Sequence, residues 1–327
     1  MGRALYDSQH GYYSCRIRDV GKHGDFSTSA TLGPDLGIAV AHWIRLESRL
    51  HPGIRHVIEA GPGSGELSAV VRKELGFWER RRWTWHLVEA SPVLRERQKR
   101  TLGDAVTWHL TMEEALKACG GEALIFHNEL LDAFPVVRVE WREACWQEIW
   151  LEWTGVGHPK EVLRPVRVDP MDPYVVLRFQ AKEGQRCELQ RAVRDWLLGW
   201  APDWVRGSVL AVDYGDEFPA LYRRRPHGTL RAYLNQERSA DVYSNVGFQD
   251  LTADVNFTDY RAWALQLGWE CAGFQTQSEF LESYAPIESG SGFWKRRSRS
   301  PADRERSRFL RDPEGAGGAF RCVWHRK

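Results

Sequence analysis

The stretch Glu59-Ala60-Gly61-Pro62-Gly63-Ser64-Gly65 decides the fold of this 327-residue chain. It ends an apolar segment that predicts a strand and precedes apolar residues at helical spacing. Glycine allows a sharp turn and the close approach of a ligand to the backbone, and the following helix presents free N–H groups. We interpret the stretch as a strand-to-helix turn that holds a polar ligand, with a turn that binds nothing as the alternative.

The segments on either side of this turn alternate between strand and helix. The predicted strands are residues 55–60, 84–89, 105–110, 122–127 and 208–213, with two late strands at 269–274 and 319–324. One predicted helix contains Leu67, Val70, Val71 and Leu75 and stops at Gly76. A later one contains Tyr260, Trp263, Ala264 and Leu267 and is closed by Gly268. Such alternation is typical of an α/β fold with a parallel sheet.

The alternation breaks in the middle of the chain, after Pro135. There, the Trp-rich residues 146–153 predict a hairpin and residues 187–200 predict a helix. The predicted domains are therefore a helical or lid segment at residues 1–50, a core at 51–135 and 208–327, and an insertion at 136–207.

Composition excludes several classes of partner. Lys and Arg number 45 against 44 Asp and Glu, so no net charge draws the whole molecule to nucleic acid. The arginines of residues 295–311 have no interleaved aromatic side chains except at the edges of the stretch, which favours a solvated loop or a disordered segment over a nucleic-acid site. Mean hydropathy is -0.50 and no apolar run approaches the ~18 residues of a spanning helix. We therefore expect no membrane insertion.

Cysteine and histidine spacing argues against a metal site. The six cysteines form no C-x-x-C pair, and the eleven histidines show no H-x-H or H-E-x-x-H spacing. A reducing compartment is expected. The first ten residues carry no leader pattern, which predicts a cytoplasmic location in a bacterium, or the mitochondrial matrix for a eukaryotic protein whose leader is missing.

Two cofactors compete for the glycine turn. A dinucleotide fingerprint is G-x-G-x-x-G, but Glu66 replaces its third glycine, and its carboxylate would face a pyrophosphate at the helix start. An acidic residue two positions before G-x-G-x-G instead resembles motif I of class I S-adenosylmethionine-dependent methyltransferases. That resemblance places Glu59 near the cationic methionine end of the cofactor and makes cofactor-binding residues of Gly61, Pro62, Gly63 and Gly65.

Polar residues follow two more of the predicted strands. Glu89 closes the second strand, where a carboxylate can accept hydrogen bonds from both ribose hydroxyls. Asn128, Glu129 and Asp132 follow the fourth strand, at the edge where open α/β sheets bind ligands. We predict Asn128 at the cofactor and the two carboxylates at the substrate. Helix capping by Asn128 or Asp132, and a surface role for Glu89, are the alternatives.

Longer motifs resemble the MidA-type methyltransferases, also described as complex I assembly methyltransferases. The glycine turn is generic to methyltransferases, whereas GDFSTS at 24–29, NELLDAFP at 128–135 and DLTADVNF at 250–257 are specific in this order. The other matching segments are ALY at 4–6, GYY at 11–13, VEASP at 88–92, VDYG at 212–215 and GTLRAY at 228–233. The resemblance covers nearly the whole chain.

This resemblance implies a Rossmann-like, seven-stranded class I methyltransferase sheet with a family-specific insertion. It also implies a protein substrate, because mitochondrial members methylate an arginine of a respiratory complex I subunit. A guanidinium stays protonated, with a pKa above ~12, so a site must hold it with carboxylates and remove a proton during transfer. Glu129 is the first candidate for that role, followed by Asp132 and Asp25.

Several alternatives stay open on the sequence alone. Glu129 has two other interpretations, a helix cap and a ligand for the ammonium group of the cofactor. Residues 24–29 are predicted to form a lid over the cofactor cleft, with a surface loop as the alternative. The competing functions are a small-molecule methyltransferase, an assembly factor that binds the cofactor without turnover, and a nicotinamide oxidoreductase, which the missing third glycine disfavours.

Overall fold

The computed structural model describes residues 1–16, 32–153, 155, 158–167, 174–178, 180–234, 237–285 and 301–327. Contacts divide the chain into two compact units. The unit that we call the sheet unit contains Ile17–Leu130, Leu198–Tyr214 and Ala264–Lys327, and the unit that we call the second unit contains Met1–Arg16, Leu131–Leu197 and Gly215–Trp263. The second unit groups residues 215–263 with residues 131–197, and the predicted domain boundaries stay a prediction.

Strands and helices alternate through most of the sheet unit. The strands, in chain order, are β1 His56–Ala60, β2 Thr84–Val88, β3 Thr107–His109, β4 Glu122–Asn128, β5 Val137–Arg142, β6 Cys145–Glu152, β7 Lys160–Pro165, β8 Arg186–Leu189, β9 Arg206–Asp216, β10 Arg231–Leu234, β11 Glu237–Ser239, β12 Asp250–Thr252, β13 Val255–Asn256, β14 Glu270–Thr276 and β15 Phe320–Arg326. The α-helices are α1 Gly2–Tyr6, α2 Asp35–Leu50, α3 Glu66–Arg80, α4 Pro92–Leu102, α5 Met112–Ala118, α6 Arg191–Trp200, α7 Ala220–Arg224, α8 Phe257–Gln266, α9 Gln277–Tyr284, α10 Pro301–Arg311 and α11 Ala316–Ala319. Every predicted strand is found, with its ends within three residues of the prediction.

The sheet unit is built on a sheet with strand order β14-β15-β9-β4-β1-β2-β3. The strands from β9 to β3 are parallel, whereas β15 lies antiparallel to β9, and β14 antiparallel to β15. The predicted Rossmann-like, seven-stranded sheet is therefore confirmed. The chain order reverses between β1 and β4, and ligands of such sheets bind at this switch point, outside the carboxyl ends of the strands.

An apolar core fixes the helices of the sheet unit on the sheet. In α2, Leu36, Val40, Trp43 and Ile44 recur at helical spacing and are almost completely buried. They belong to one core cluster with sheet residues such as Phe126. The described helices are not long and apolar enough to cross a membrane.

The second unit contains two antiparallel sheets, with strand orders β7-β6-β5-β8 and β11-β10-β12. Glu143 and Ala144, with φ of 51° and 60°, form the two-residue turn that joins β5 to β6. The predicted hairpin at 146–153 is therefore wrong in its bounds, because these residues supply one strand and its partner precedes them. The short strand β13 pairs in parallel with the last two residues of β9.

Within the second unit, the ALY and GYY motifs contact two motifs from later in the chain. The Tyr6 hydroxyl donates to the Ala133 carbonyl at 2.9 Å, and the Tyr13 hydroxyl donates to Asp250 Oδ1 at 2.9 Å. The Tyr6 and Tyr13 rings stack with their centroids 5.6 Å apart. These contacts join the ALY and GYY motifs to NELLDAFP and DLTADVNF, more than a hundred residues away in the chain.

One of the two predicted helix ends differs from the sequence prediction and the other agrees with it. Gly76 does not stop α3: its φ of 72° and ψ of 175° kink the helix, which continues to Arg80. Arg45 of α2 donates to the Glu74 carbonyl at 2.9 Å, which satisfies an acceptor near the kink. Gly268, with φ of 75°, does end α8, since its N–H donates to the Leu265 carbonyl.

Two other segments also correct the prediction. Residues 187–189 are extended, because backbone pairing of β8 with β5 overrides their helical pattern. The segment 301–311 is a helix rather than a solvated loop, because Ser307, Leu310 and Arg311 are buried on one face. Arg311 pairs with the buried Asp35 at 3.0 Å. A buried ion pair thus holds α10 against the first residue of α2.

Candidate active site

Three glycines with left-handed backbone form the turn after β1. Gly61, Gly63 and Gly65 have φ of 63°, 54° and 80°, which L side chains rarely adopt. The Gly61 N–H donates to the Val88 carbonyl at 3.0 Å, and the Gly65 N–H donates to the Pro62 carbonyl at 2.8 Å. The turn is thereby fixed to the end of β2, and Gly65 is the N-cap of α3.

A buried glutamine links the turn to Glu89. The Gln98 side chain on α4 is fully buried, and its Nε2 donates to the Gly63 carbonyl at 2.9 Å and to Glu89 Oε2 at 3.1 Å. The Ser91 N–H donates to Glu89 Oε1 at 2.8 Å. Burial raises the pKa of Glu89, and these donors oppose the shift. The sequence does not indicate a role for Gln98, because a single glutamine in a polar helix belongs to no recognisable motif.

The Glu59 carboxyl group lies beneath α3. It accepts a hydrogen bond from the Ser68 hydroxyl, which itself accepts one from Trp85 Nε1 at 2.7 Å. Burial raises the pKa of Glu59 to about 8, and the Ser68 hydrogen bond opposes that shift. Glu59 therefore joins the start of α3 to β1 and β2, directly behind the glycine turn.

The segment after β4 carries a second unusual backbone conformation. Asn128 ends β4, and the next residue, Glu129, has φ of 49° although it is not glycine. The Glu129 N–H donates to the Val212 carbonyl at 2.9 Å, and the Leu130 N–H donates to Asp213 Oδ2 at 3.1 Å. Strained residues of this kind persist only where the surroundings fix them, and they cluster at functional sites.

The glycine turn and the segment after β4 are in contact. A Cβ at Gly61 would lie 2.7 Å from Cδ1 of Leu130, so only glycine leaves room for that side chain. Asn128 Nδ2 donates to Glu129 Oε1 at 3.2 Å, and the Glu129 side chain is half-buried. The structure thus brings Glu89, Asn128 and Glu129 to one edge of the sheet, around the turn.

Two other carboxylates, Asp132 and Asp25, are predicted at the substrate. Asp132 belongs to the second unit, where it is buried and its carbonyl accepts from the Ala253 N–H at 2.9 Å. Its charge contributes to raising the pKa of Tyr13, for which burial is the main cause. Asp25 and the predicted lid at residues 24–29 lie outside the described residues.

The residues at this edge suit an adenosine-containing ligand. The glycine turn presents backbone in conformations that side chains would strain, which allows a ligand close to the chain. One strand away, the Glu89 carboxylate can accept hydrogen bonds from the two hydroxyl donors of a ribose. Because Gln98 donates to both the Gly63 carbonyl and Glu89, its contacts fix the distance between the turn and this carboxylate.

Comparisons with known proteins agree with this geometry. A family described as S-adenosyl-L-methionine-dependent methyltransferase matches residues 36–275. The chain is 27% identical to the mitochondrial protein arginine methyltransferase NDUFAF7 homolog of Drosophila melanogaster, over 86% of this chain and 69% of that protein. It is 24% identical to the Caenorhabditis elegans homolog, over 86% of this chain and 77% of that protein.

A solved structure has the same fold. It is a Burkholderia thailandensis protein bound to S-adenosyl-homocysteine, 24% identical, with a TM-score of 0.88 over 100% of this chain and 86% of that chain. The family match extends over most of the chain and includes the glycine turn, Glu89 and Glu129. The resemblance to MidA-type proteins is confirmed, and the chain belongs to this family of S-adenosylmethionine-dependent methyltransferases.

Proposed function

We propose that the protein methylates an arginine side chain of another protein, with Glu129 as the carboxylate that holds the guanidinium. The observation that carries this proposal is the strained Glu129 backbone at the carboxyl edge of β4, next to the glycine turn. The names of the fly and nematode relatives, protein arginine methyltransferases, support the choice of acceptor.

The cofactor would be held by the residues that surround the turn. We assign its backbone contacts to Gly61, Pro62, Gly63 and Gly65, its ribose to Glu89, and a further contact to Asn128. Glu59 is assigned to the methionine end of the cofactor. When bound, S-adenosylmethionine supplies an electrophilic methyl group on a cationic sulfur.

The chain itself would position the acceptor and receive its proton. An arginine guanidinium stays charged in proteins, and a carboxylate binds it with charge-assisted hydrogen bonds. Glu129 is half-buried, so its charge acts where water screens it less than at an exposed site. As one guanidinium nitrogen takes up the methyl group, it loses a proton, and Glu129 is the base to which we assign it. Asp132 and Asp25 are assigned supporting roles at the substrate.

The same relatives support a proposal for the acceptor protein and the compartment. We infer that the substrate is a respiratory complex I subunit, or its bacterial counterpart, because relatives of this chain carry the name NDUFAF7 and the MidA-type resemblance implies that target. The compartment would be the bacterial cytoplasm, or the mitochondrial matrix in a eukaryote, and the curated relatives are named mitochondrial.

Labelling of cell extract tests the proposal. The full chain is incubated with methyl-labelled S-adenosylmethionine and lysate from a strain that lacks the gene, and labelled peptides are mapped by mass spectrometry. We expect label on arginine of one protein. Label only in small molecules would indicate a small-molecule methyltransferase, and cofactor binding without label would indicate an assembly factor without turnover.

The substitution Glu129→Gln separates substrate binding from cofactor binding. It keeps the shape of the side chain and removes its charge, so methyl transfer should fall by about 100-fold or more while cofactor affinity, measured by calorimetry, stays near wild type. Glu113→Gln, at an exposed position of α5, is the matched control and should be active. Wild-type turnover of Glu129→Gln would remove this residue from the mechanism, and weakened cofactor affinity would assign it to the cofactor.

A further inference from the structure

Three imidazoles and a thiol meet at a place in the sheet unit that the methyltransferase site does not use. His56 begins β1, His86 lies in the middle of β2, and His109 ends β3. His56 Nδ1 and His86 Nε2 are 3.0 Å apart, and His86 Nδ1 and His109 Nε2 are 2.9 Å apart. Cys119, the residue after α5, completes the group.

The ligand atoms of three of these residues converge. Among the residues that the structure describes, one atom each from His56, His86 and Cys119 lies within 4.8 Å of the other two. His86 and Cys119 are 3% and 6% exposed, whereas His56 is half-buried, so the group is shielded but open on one side. Spacing along the chain does not indicate this convergence, because each residue comes from a different element.

The separation of two nitrogen atoms in this group is close to that expected in a tetrahedral zinc site. With Zn–N distances of about 2.0–2.1 Å, two imidazole nitrogens on one ion lie about 3.3 Å apart. The 3.0 Å separation of His56 Nδ1 and His86 Nε2 needs to widen by only a few tenths of an ångström. Imidazole and thiolate are the ligands that zinc prefers, and water can take the fourth position.

His109 supplies the outer contact that metal-binding histidines usually have. A histidine that ligates through one ring nitrogen donates the N–H of the other to an acceptor, which fixes its tautomer and orientation. If Nε2 of His86 ligates, its Nδ1–H faces His109 Nε2 at 2.9 Å. Both ring nitrogens of His86 would then have a defined role.

We propose that His56, His86 and Cys119 bind one zinc-class divalent ion, with His109 as the outer-sphere partner of His86. Binding converts the Cys119 thiol to a thiolate and releases its proton to solvent, and no electron transfer is involved. The ion would tie the first residue of β1 to β2 and to the end of α5, at the opposite end of β1 from the glycine turn. The spacing of histidine and cysteine along the chain predicts no metal site, and this proposal departs from that expectation.

Cobalt substitution tests the site without reference to methyl transfer. The full chain is stripped with a chelator and titrated with Co²⁺, and absorption is recorded in the ultraviolet and visible ranges. We expect one equivalent to bind, with a thiolate-to-cobalt charge-transfer band and the strong visible bands of tetrahedral Co²⁺. Added Zn²⁺ should remove all of these bands by displacement. A wild-type protein that shows no such bands would overturn the proposal and leave the imidazoles as a hydrogen-bonded chain.

Matched variants assign the ligands. Cys119→Ser should abolish the charge-transfer band and weaken Zn²⁺ affinity by about 100-fold or more, whereas Cys322→Ser, at another buried cysteine, should leave both unchanged. His56→Ala, at the half-buried position, tests a ligand whose loss the fold should tolerate. His109→Ala should keep the band and lower affinity by about 10- to 100-fold. A band that persists in Cys119→Ser, with circular dichroism confirming a folded protein, would also refute the site.

Discussion

The glycine turn allows a quantitative test, because the chain contains a matched pair of glycines. Gly61 and Gly268 both have left-handed φ, 63° and 75°, and both lie in the sheet unit. A Cβ at Gly268 would meet nothing within 4 Å, whereas a Cβ at Gly61 would lie 2.7 Å from Cδ1 of Leu130. The substitutions Gly268→Ala and Gly61→Ala therefore differ mainly in the contact with Leu130.

The expected loss of stability has two contributions, the left-handed backbone and the contact with Leu130. Alanine in a left-handed conformation costs about 1–2 kcal/mol, and this term is common to both variants, as is the lower entropy of the unfolded chain. At Gly61, Leu130 must also leave its preferred rotamer, which adds about 0.5–1.5 kcal/mol. The backbone of Leu130 cannot shift freely, because its N–H is bonded to Asp213. We expect Gly61→Ala to lower the free energy of unfolding by about 1 kcal/mol more than Gly268→Ala.

Urea unfolding of the two variants measures this difference, and Leu130→Ala identifies its cause. In the Leu130→Ala background, the two alanine substitutions should cost the same, since the clash has been removed. Calorimetry should also show weaker S-adenosylmethionine binding for Gly61→Ala and wild-type affinity for Gly268→Ala. Equal costs in the wild-type background, or a difference that survives removal of the Leu130 side chain, would refute the reasoning.

Two further predictions concern buried carboxyl groups. The pKa of Glu59 is raised to about 8 in the folded protein, so between its unfolded value of 4.5 and about 8 the folded state binds the additional proton. Stability from this group is complete below pH 4.5 and is lost as pH rises through about 8, so Glu59→Gln should flatten that fall in unfolding experiments. Asp35→Ala should lower the free energy of unfolding by about 3–5 kcal/mol, because it leaves the Arg311 guanidinium buried without its carboxylate partner. Glu152 belongs to an ion pair in which both side chains are about half exposed, so Glu152→Ala should change the free energy of unfolding little. A loss as large as that of Asp35→Ala would contradict the argument that burial makes the ion pair of Asp35 important.

The strands and the cofactor turn could be predicted because their signals are local. A strand such as β4 is a short apolar run, and the turn requires glycine at positions where the backbone is left-handed. The positions of Glu89 and Asn128 at the same edge then follow from parallel strand order, since the carboxyl ends of neighbouring parallel strands meet. Errors arose where local signals were overridden, as at Gly76, whose kink α3 tolerates with help from Arg45.

The sequence by itself determined the fold class, the cofactor turn and the family, because each depends on residues close together in the chain or on motifs in a fixed order. Only the tertiary structure decided which residues from distant parts of the chain lie next to one another. Gln98 lies between the turn and Glu89, Leu130 lies against Gly61, and Cys119 lies near His56. The physical reason is that these contacts depend on strand register and helix packing, which place residues from separate elements within a few ångströms, and no spacing along the chain encodes that distance.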